Sequence, residues 1–370
     1  MRDSGDVQSF VLYFRMTPDV FDYLHDLVKD DLTKQHVVRE PLSSHERLAL
    51  TLRYLSSGMA FKDVAMAYRV GIETAREAVH LTCTALWNRL KDLYMMPPSE
   101  SEWQDIAQGF GERWNFPNCL GAVDGKHVRI VAPNKSGSTY FNYKGTYSIV
   151  LMAVVDSLYK FVLIDVGAEG RQSDCGVLKS SAIGRWLDTG TLGLPGPVRL
   201  PGGNVVVPHV FVGDEAFQLR PDFFRPYPGR DLSVEKRVFN LRLSRARHCV
   251  ENAFGILASR WRILLTTINL SVLNAENVIK AVCILHNFLA EQCGVPSGLA
   301  DEVDTLGNVI EGGWHRDAGQ FVEQQRLQCG HTRNHSKEAA RSRELYTNYF
   351  VSHTGQLDWQ WARIHAQRPS

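Results

Sequence analysis

The sequence predicts a mixed α/β protein, in which helices pack on a mixed sheet and an all-helical segment comes before that sheet. The first observation is helical spacing of apolar residues through most of residues 16–96. The second is a change from about residue 118, where three β-rich runs follow in close succession. The third is the order of elements after these runs, a helix, a strand and two long helices, which is typical of a sheet covered by helices.

Composition sets broad limits on the class of protein. The 370 residues are enough for a large domain with a sizeable core and a smaller second one. Charged residues make up 22% and the net charge is +1, so any surface for nucleic acid must be local. No apolar run is long enough to span a membrane, and the first residues do not have the pattern of a secretory signal. The seven cysteines are scattered without a C-x-x-C pair, which favours a reducing intracellular setting over a disulfide framework.

Helix signals are clear in the first part of the chain. Pro18 suits the first position of a helix that begins after Thr17. Ser43 and Glu46 have the spacing of a capping box, and Gly58 is a typical end for the helix that they begin. The runs AFKDVAMAYRV and IETAREAVHLTCTALWNRLKDLY predict a short helix followed by a long one.

The short helix, a turn at Gly71 and the long helix follow the order of a helix-turn-helix motif. We therefore predict a helical, helix-turn-helix-like subdomain over residues 16–114, after an N-terminal segment over residues 1–15. Arg76, near the start of the long helix, is a candidate DNA contact. Glu73 argues against that role, and a helical subdomain that binds no DNA is an equal alternative.

The second part of the chain predicts strands first and helices later. CLGAVDGKHVRIVAP, TYSIVLMAVVDS and KFVLIDVGAEG predict three consecutive strands. CGVLKSSAIGRWLDTG predicts one helix, and PHVFVGDE predicts a strand after a Gly/Pro-rich stretch. NLRLSRARHCVENAFGILASRWRILL and NAENVIKAVCILHNFLAEQ predict long helices. Beyond Gly294 the pattern is weak, apart from a late helix in SKEAARSRELYTNYF.

Three acids stand on three of these elements. Asp124 lies in the first strand, Asp214 ends the later strand, and Glu251 lies on the strongest helix. Hard divalent cations prefer oxygen ligands, and two such ions can hold the attacking and the leaving oxygen of a phosphodiester. Gly255, one turn after Glu251, would let this helix approach the sheet closely. The pattern is what a two-metal phosphodiesterase needs.

The residues alone also leave a structural interpretation open. An aspartate at the end of a strand is usually a turn or cap residue. A helical Glu251 four residues after Arg247 is usually a solvated ion pair. Asp156, Asp165 and Asp174 lie at or near strand ends and compete for the same role. Spacing by itself therefore does not establish a metal site.

Longer motifs surround these acids. The stretches NFPNCLGAVDGKHVRI, YFNYKGTYSIVLMAVVD, VLIDVGAEGRQSD, VFVGDEAFQLRPDFFRPYPGR and FNLRLSRARHCVENAFGILASRWRIL together resemble the nuclease domain of PIF/Harbinger transposases and the nucleases derived from them. The resemblance covers about residues 118–290 and extends more weakly to the upstream helices. We therefore predict a nuclease domain over residues 115–292, and a C-terminal extension, partly flexible with a late helix, over residues 293–370.

The resemblance implies an RNase H-like fold with a DDE triad. The family's acids fall on Asp124, Asp214 and Glu251, which would be the catalytic residues and the ligands of Mg²⁺, with Mn²⁺ as a substitute. Asp174 and His127 are candidates to contact and orient these ligands without binding the metal themselves.

Basic residues are dense around the third acid of this triad. Residues 220–262 contain ten Lys and Arg against four acids, which fits neutralisation of DNA phosphates, with a solvated helix face as the alternative. The loop YFNYKG is a candidate to stack on DNA, although Tyr140 and Phe141 would more commonly be core residues. The predicted DNA contacts, besides Arg76, are Lys126, Lys144, Arg242, Arg245, Arg247, Arg260 and Arg262.

The sequence thus predicts a metal-dependent DNA endonuclease, with residual strand transfer left open. The alternative is a catalytically silent adaptor that binds DNA, chromatin or proteins. The resemblance implies a Myb/SANT-like DNA-binding partner and a nuclear location, with a cytoplasmic pool when that partner is absent. A homo-oligomer is left open. The sequence has no His/Cys cluster typical of zinc and no Gly-rich loop typical of ATP binding.

Overall fold

A computed structural model describes residues 6–33, 41–304, 307–323 and 336–366. The first five residues of the predicted N-terminal segment, parts of the predicted C-terminal extension and Cys329 lie outside the described residues. Within these ranges, no helix combines the length and the apolarity that a membrane crossing requires.

In the described part of the chain, six helices come before the sheet. They are α1 (Val7–Phe14), α2 (Pro18–Leu32), α3 (Ser44–Ser57), α4 (Phe61–Ala67), α5 (Ile72–Tyr94) and α6 (Glu100–Trp114). The predicted capping box of Ser43 and Glu46 opens α3, and Gly58 ends it in a left-handed conformation. Neither α1 nor α6 was predicted as a separate helix, although α6 opens with a second capping box, formed by Ser99 and Glu102.

The central sheet is mixed, as predicted. The strands of the described residues are β1 (Cys119–Arg129), β2 (Ser148–Val155), β3 (Phe161–Glu169), β4 (Val198–Arg199), β5 (Val206–Val207), β6 (Val210–Val212), β7 (Phe223–Phe224), β8 (Glu302–Val303) and β9 (Val309–Ile310). Five of them form one sheet in the order β3-β2-β1-β6-β7. β1 is antiparallel to β2 and parallel to β6. β4 with β5, and β8 with β9, form two small antiparallel pairs outside it.

Helices cover both faces of this sheet. They are α7 (Asp174–Ser180), α8 (Ala182–Thr189), α9 (Val234–Arg260), α10 (Val272–Cys293), α11 (Trp314–Glu323), α12 (Lys337–Phe350) and α13 (Asp358–Ala366), with a short 3₁₀ turn at Arg262–Leu265. Val150 and Met152 of β2 enter a small core with α6, α7 and α8. Ile149 and Leu151 face the larger core, which holds α9, α10 and the N-terminal helices. The predicted fold class is therefore confirmed, and its layers are those of an RNase H-like fold.

Two helix predictions need correction. The single helix predicted after β3 is two short helices, because Ser181 ends α7 and its side chain accepts from the N–H of Gly184 to begin α8. A Cβ on Gly184 would collide with the carbonyl of Leu178, so the two helices meet closely there. The strongest helix begins at Val234, earlier than predicted. The predicted late helix is confirmed as α12.

Two arginines of α9 hold the C-terminal extension instead of facing solvent. Arg242 is 3% exposed. It donates to the carbonyl of Asn115 at 2.9 Å and to Gln360 Oε1 at 3.0 Å. The guanidinium of Arg245 is 4.2 Å from the ring centre of Trp359. Both were predicted to contact DNA, and the structure places both inside the protein.

Arg242→Ala should destabilise the fold, because two buried acceptors lose their donor. We expect the free energy of unfolding to fall by about 2–4 kcal/mol, measured by urea denaturation followed by circular dichroism. The exposed Arg230→Ala is the control and should change it by less than about 0.5 kcal/mol. Equal changes in the two variants would contradict the structural role of Arg242.

Candidate metal centre and its cleft

Asp124 and Asp214 lie side by side because β1 pairs with β6 in parallel. Ala122 is the partner of Val212 in that pair, and the two aspartates follow two residues later in each segment. Asp124 lies within β1 and is 3% exposed, while Asp214 follows the end of β6. Asp214 also accepts the N–H of Ala216 at 2.9 Å, as a turn residue would. Backbone pairing thus brings both carboxylates to one place.

Asp174, the first residue of α7, supplies a third carboxylate. The residue after Asp124 is Gly125, where a Cβ would lie 3.0 Å from Asp174 Cγ and even nearer to its Oδ1. Asp124, Asp174 and Asp214 each offer an oxygen, and these oxygens lie within 4.8 Å of one another. We call these three residues the aspartate cluster. Asp174 was predicted only to support the site, and the missing side chain of Gly125 is what lets it approach.

Electrostatics in the aspartate cluster favour a cation. Burial raises the pKa of Asp124 well above its ordinary value, and the charge of Asp214 raises it further. Burial, and then the same charge, raise the pKa of Asp174 to about 7. The cluster therefore resists carrying three negative charges without a counter-charge. Three convergent carboxylates fit a hard divalent cation, since such ions prefer oxygen ligands.

Among the described residues, Glu251 stands outside the aspartate cluster. Its Oε1 lies 3.4 Å from Arg247 Nη2, and its Oε2 lies 3.3 Å from His248 Nδ1. Burial acts to raise the pKa of Glu251, but the hydrogen bond with His248 and the charges of Arg247 and Lys126 outweigh burial and lower it. Glu251 therefore contacts residues of its own helix, and its role as the third acid of the triad stays a prediction.

Lys126 is a buried lysine on which the charges of both the aspartate cluster and Glu251 act. Its side chain is 2% exposed, and burial lowers its pKa to about 7, although the charges of Asp124 and Glu251 act to raise it. Its Nζ is 4.5 Å from the ring centre of Phe321 in α11. Lys126 was predicted to contact DNA; its side chain is almost entirely buried, although it forms part of the lining of a cleft.

Asn252, next to Glu251, ties α9 to the C-terminal extension. Its Oδ1 accepts from Trp314 Nε1 at 2.9 Å and from the N–H of Asp301 at 2.6 Å. Gly255 was expected to let α9 approach the sheet, yet it accommodates the Trp314 indole, which a Cβ would overlap. Sequence reasoning missed this contact, because no local signal near Asn252 points to a partner 62 residues further along the chain.

His127 supports a neighbouring loop. Its Nδ1 lies 2.8 Å from Ser148 Oγ, and Ser148 Oγ accepts from Asn142 Nδ2 at 2.8 Å. Burial lowers the pKa of His127 to about 4, so the ring is neutral near pH 7. The serine hydroxyl therefore links the histidine ring to the amide of Asn142 in the neighbouring loop.

A cleft of about 820 Å³ is lined by Lys126, which lies two residues after Asp124 in β1. Lys144 lies in its wall, and the charges of Asp174 and Asp124 act on this lysine. The cleft also lies against the 3₁₀ turn and α11, so elements from distant parts of the chain enclose it. Its lining includes the cations Lys126, Arg129, Lys144 and Arg316, the aromatic residues Tyr143 and Phe321, and the acid Asp317.

The remaining predicted DNA contacts have different surroundings. Arg262 is half-exposed and lies 3.9 Å from Asp317 at the rim of the cleft. Burial lowers the pKa of Arg260 to about 10. Arg76 is exposed at the start of α5 and lies 3.6 Å from Glu73. Arg262 and Arg76 therefore remain accessible to a ligand, and DNA reading by the helix-turn-helix-like region stays a prediction.

Comparison with known proteins points to a nuclease, the same class of protein that the clustered carboxylates indicate. Residues 123–287 match the family described as DDE superfamily endonuclease. The chain is 27% identical to Protein ALP1-like of Arabidopsis thaliana over 296 residues, 78% of this chain and 72% of that protein. It is also 27% identical to Antagonist of Like Heterochromatin Protein 1 of the same plant over 333 residues, 84% and 83% of the two chains. It is 24% identical to human HARBI1, a protein named as a nuclease, over 272 residues, 73% and 74% of the two chains. No solved structure matches the chain significantly.

The mixed sheet, the aspartate cluster and the family match define a DDE-type nuclease domain. The family match and the relatives support the Harbinger-derived DDE nuclease family for this chain. The matched residues include Asp124, Asp174, Asp214 and Glu251, so all four acids lie within the family's domain. The parts of α11 and the C-terminal extension that line the cleft lie beyond it.

Asp174→Asn should remove a pH-dependent loss of stability in the metal-free protein. The folded-state pKa of Asp174 is raised to about 7, above its ordinary 3.8. The protonated Asp174 side chain therefore stabilises the fold fully below its unfolded-state pKa of 3.8, and this stabilisation is lost as the pH rises through about 7. Relative to wild type, we expect the variant to gain about 2–4 kcal/mol between about pH 4 and pH 8, measured by urea denaturation in EDTA. A difference that stays constant with pH would contradict this shift.

Divalent metal should stabilise the wild-type protein more than a variant of the aspartate cluster. Mg²⁺ or Mn²⁺ should raise the melting temperature of wild type and raise that of Asp214→Asn much less, because only the folded cluster binds the ion. The exposed Asp231→Asn is the matched control and should respond as wild type does. Identical shifts in all three proteins would count against a metal site at the cluster.

Proposed function

We propose that this protein is a metal-dependent DNA endonuclease of Harbinger-transposase descent, which hydrolyses phosphodiester bonds with two divalent metal ions. The observation that carries this proposal is the aspartate cluster, with three carboxylate oxygens within 4.8 Å beside a cleft lined by cations. The family match and the relative named as a nuclease support the same class of activity. We propose Mg²⁺ as the cation, with Mn²⁺ as a substitute, since the ligands are carboxylates.

The residues of the site would have separate tasks. Asp124 and Asp214 are fixed by paired strands and would hold the cations in constant positions, and Asp174 would add a ligand from α7. When bound, the ions would activate water and stabilise charge on the phosphate oxygens. Lys144 in the cleft wall would bind a phosphate next to the scissile one.

Glu251 is the family acid whose side chain would have to move. Its contacts with Arg247 and His248 hold it along α9. We propose that DNA phosphates compete for Arg247, which would release Glu251 to complete the triad with Asp124 and Asp214. In a protein that retains transposase activity, a DNA 3′-hydroxyl would replace water as the nucleophile in the same site.

A catalytically silent adaptor that binds DNA or chromatin is the second candidate. Lys126 places a buried ammonium near Asp124 and Glu251, where it balances negative charge that a metal ion would otherwise balance. One relative carries the name Antagonist of Like Heterochromatin Protein 1, which refers to a heterochromatin protein. Under this hypothesis the fold would only bind partners, and the inherited acids would have no catalytic role.

For either candidate we propose a nuclear location, with a cytoplasmic pool when the DNA-binding partner is absent. The family resemblance implies that this partner is a separate Myb/SANT-like protein. Such a partner would supply the sequence-specific contacts that a cleft lined by phosphate-binding cations does not supply.

Nicking of supercoiled plasmid distinguishes the two candidates. With Mg²⁺ or Mn²⁺, we expect wild type and the control Asp231→Asn to nick the plasmid, and Asp214→Asn to be slower by at least about 100-fold. EDTA should stop the reaction. If wild type and Asp214→Asn gave the same background rate, the nuclease proposal would be wrong and the adaptor would be favoured.

The same assay identifies the third acid of the site. Asp174→Asn and Glu251→Gln each remove one carboxylate while keeping a side chain of similar shape. Loss of nicking in Glu251→Gln, with metal stabilisation retained, would place Glu251 in the reacting state only. Full activity in Glu251→Gln would mean that the aspartate cluster works without the family glutamate.

A further inference from the structure

The loop between β1 and β2 presents an exposed aromatic ring to the cleft. Tyr143 is 50% exposed and lines the cleft next to Lys144. The ring centres of Tyr143 and His127 lie 5.8 Å apart and edge to face. The Nζ of Lys144 lies 5.3 Å from the centre of this ring, so a cation and an aromatic ring stand together in the cleft wall.

This ring is held in place by a compact turn. We call residues 141–147 the aromatic turn. Asn142 is 3% exposed, and its Oδ1 accepts the N–H groups of Lys144 at 3.0 Å and Thr146 at 3.1 Å. Its Nδ2 donates to Ser148 Oγ, which also contacts His127. Gly145 adopts a φ of +74°, which closes the turn in a conformation that favours glycine. The aromatic turn is therefore ordered before any ligand binds.

The aromatic turn lines the same cleft as Lys126, which lies two residues after Asp124. The charges of Asp174 and Asp124 act on Lys144, and His127 follows Asp124 by three residues in β1. On the other side of the cleft, the Phe321 ring covers Lys126. A strand with a phosphate at the acids would therefore pass with its adjacent sugar and base beside the aromatic turn.

We propose that Tyr143 stacks on an unpaired nucleobase next to the phosphate at the aspartate cluster, while Lys144 binds the backbone of the same strand. This inference rests on the proposed function, and it narrows the substrate class to DNA with a locally unpaired or unstacked nucleotide. Stacking on an aromatic ring tolerates any base, so the preference concerns DNA structure and not sequence. Phe141 is similarly exposed but does not line the cleft, so it offers a matched control.

Binding of the full chain to three DNAs tests this proposal. In Asp214→Asn protein with Ca²⁺, fluorescence anisotropy would compare a fully paired duplex, the same duplex with one unpaired base, and a single strand. We expect Tyr143→Ala to weaken binding to the two DNAs with unpaired bases by about 5- to 100-fold, and to leave the duplex nearly unchanged. Tyr143→Phe should retain the preference, because the ring and not the hydroxyl makes the contact. Phe141→Ala should behave as the parent protein does.

Photocrosslinking gives a readout that a merely structural residue would not change. An unpaired 5-iododeoxyuridine should crosslink to residue 143 in the parent protein and lose that crosslink in Tyr143→Ala. Equal weakening on all three DNAs, no DNA binding by the parent protein, or crosslinks only elsewhere would each overturn the proposal. Plasmid nicking without this preference would reject the stacking role alone, and stacking without nicking would reject only the nuclease activity.

Discussion

Repulsion among buried carboxylates is the constraint on which the rest of the site depends. Like charges in one dry space are stable only where something compensates them. Here backbone pairing brings two of them together, and a glycine in the neighbouring strand position admits the third. Lys126, Lys144 and Arg247 compensate in part, since each lowers the pKa of a clustered acid. A divalent ion would complete that compensation. Metal binding and the folding stability of this region therefore depend on the same repulsion between carboxylates.

Local signals in the sequence were sufficient for most helices and for the long strands. The capping box at Ser43 and the glycine at Gly58 set the bounds of α3 within a residue, because both act through the backbone next to them. The two-residue strands β4, β5, β7, β8 and β9 were not predicted, since two residues are too few to show the alternation of a strand. The family resemblance implied that Asp124 and Asp214 share one site, and the parallel pairing of β1 with β6 brings them together.

The directions of side chains were not foreseeable. Most sides of α9 are buried, so its basic residues do not share one solvent-exposed face. Arg242 and Arg245 point into the protein. Asp174 and Glu251 both lie in family motifs, and the sequence favoured the second as a ligand. Which of them reaches the strand aspartates depends on how α7 docks over Gly125, and that docking leaves no local pattern in the sequence.

The contact between Asn252 and Trp314 joins the family-matched domain to a C-terminal segment that the family match leaves out. The match ends at residue 287, but Phe321 and the indole over Gly255 come from beyond that point. A gene copy that lost its last quarter would keep every acid of the motif and still lack one wall of its own cleft. For this lineage, an intact motif is therefore a poor measure of an intact enzyme, and the tail has to be inherited with the core.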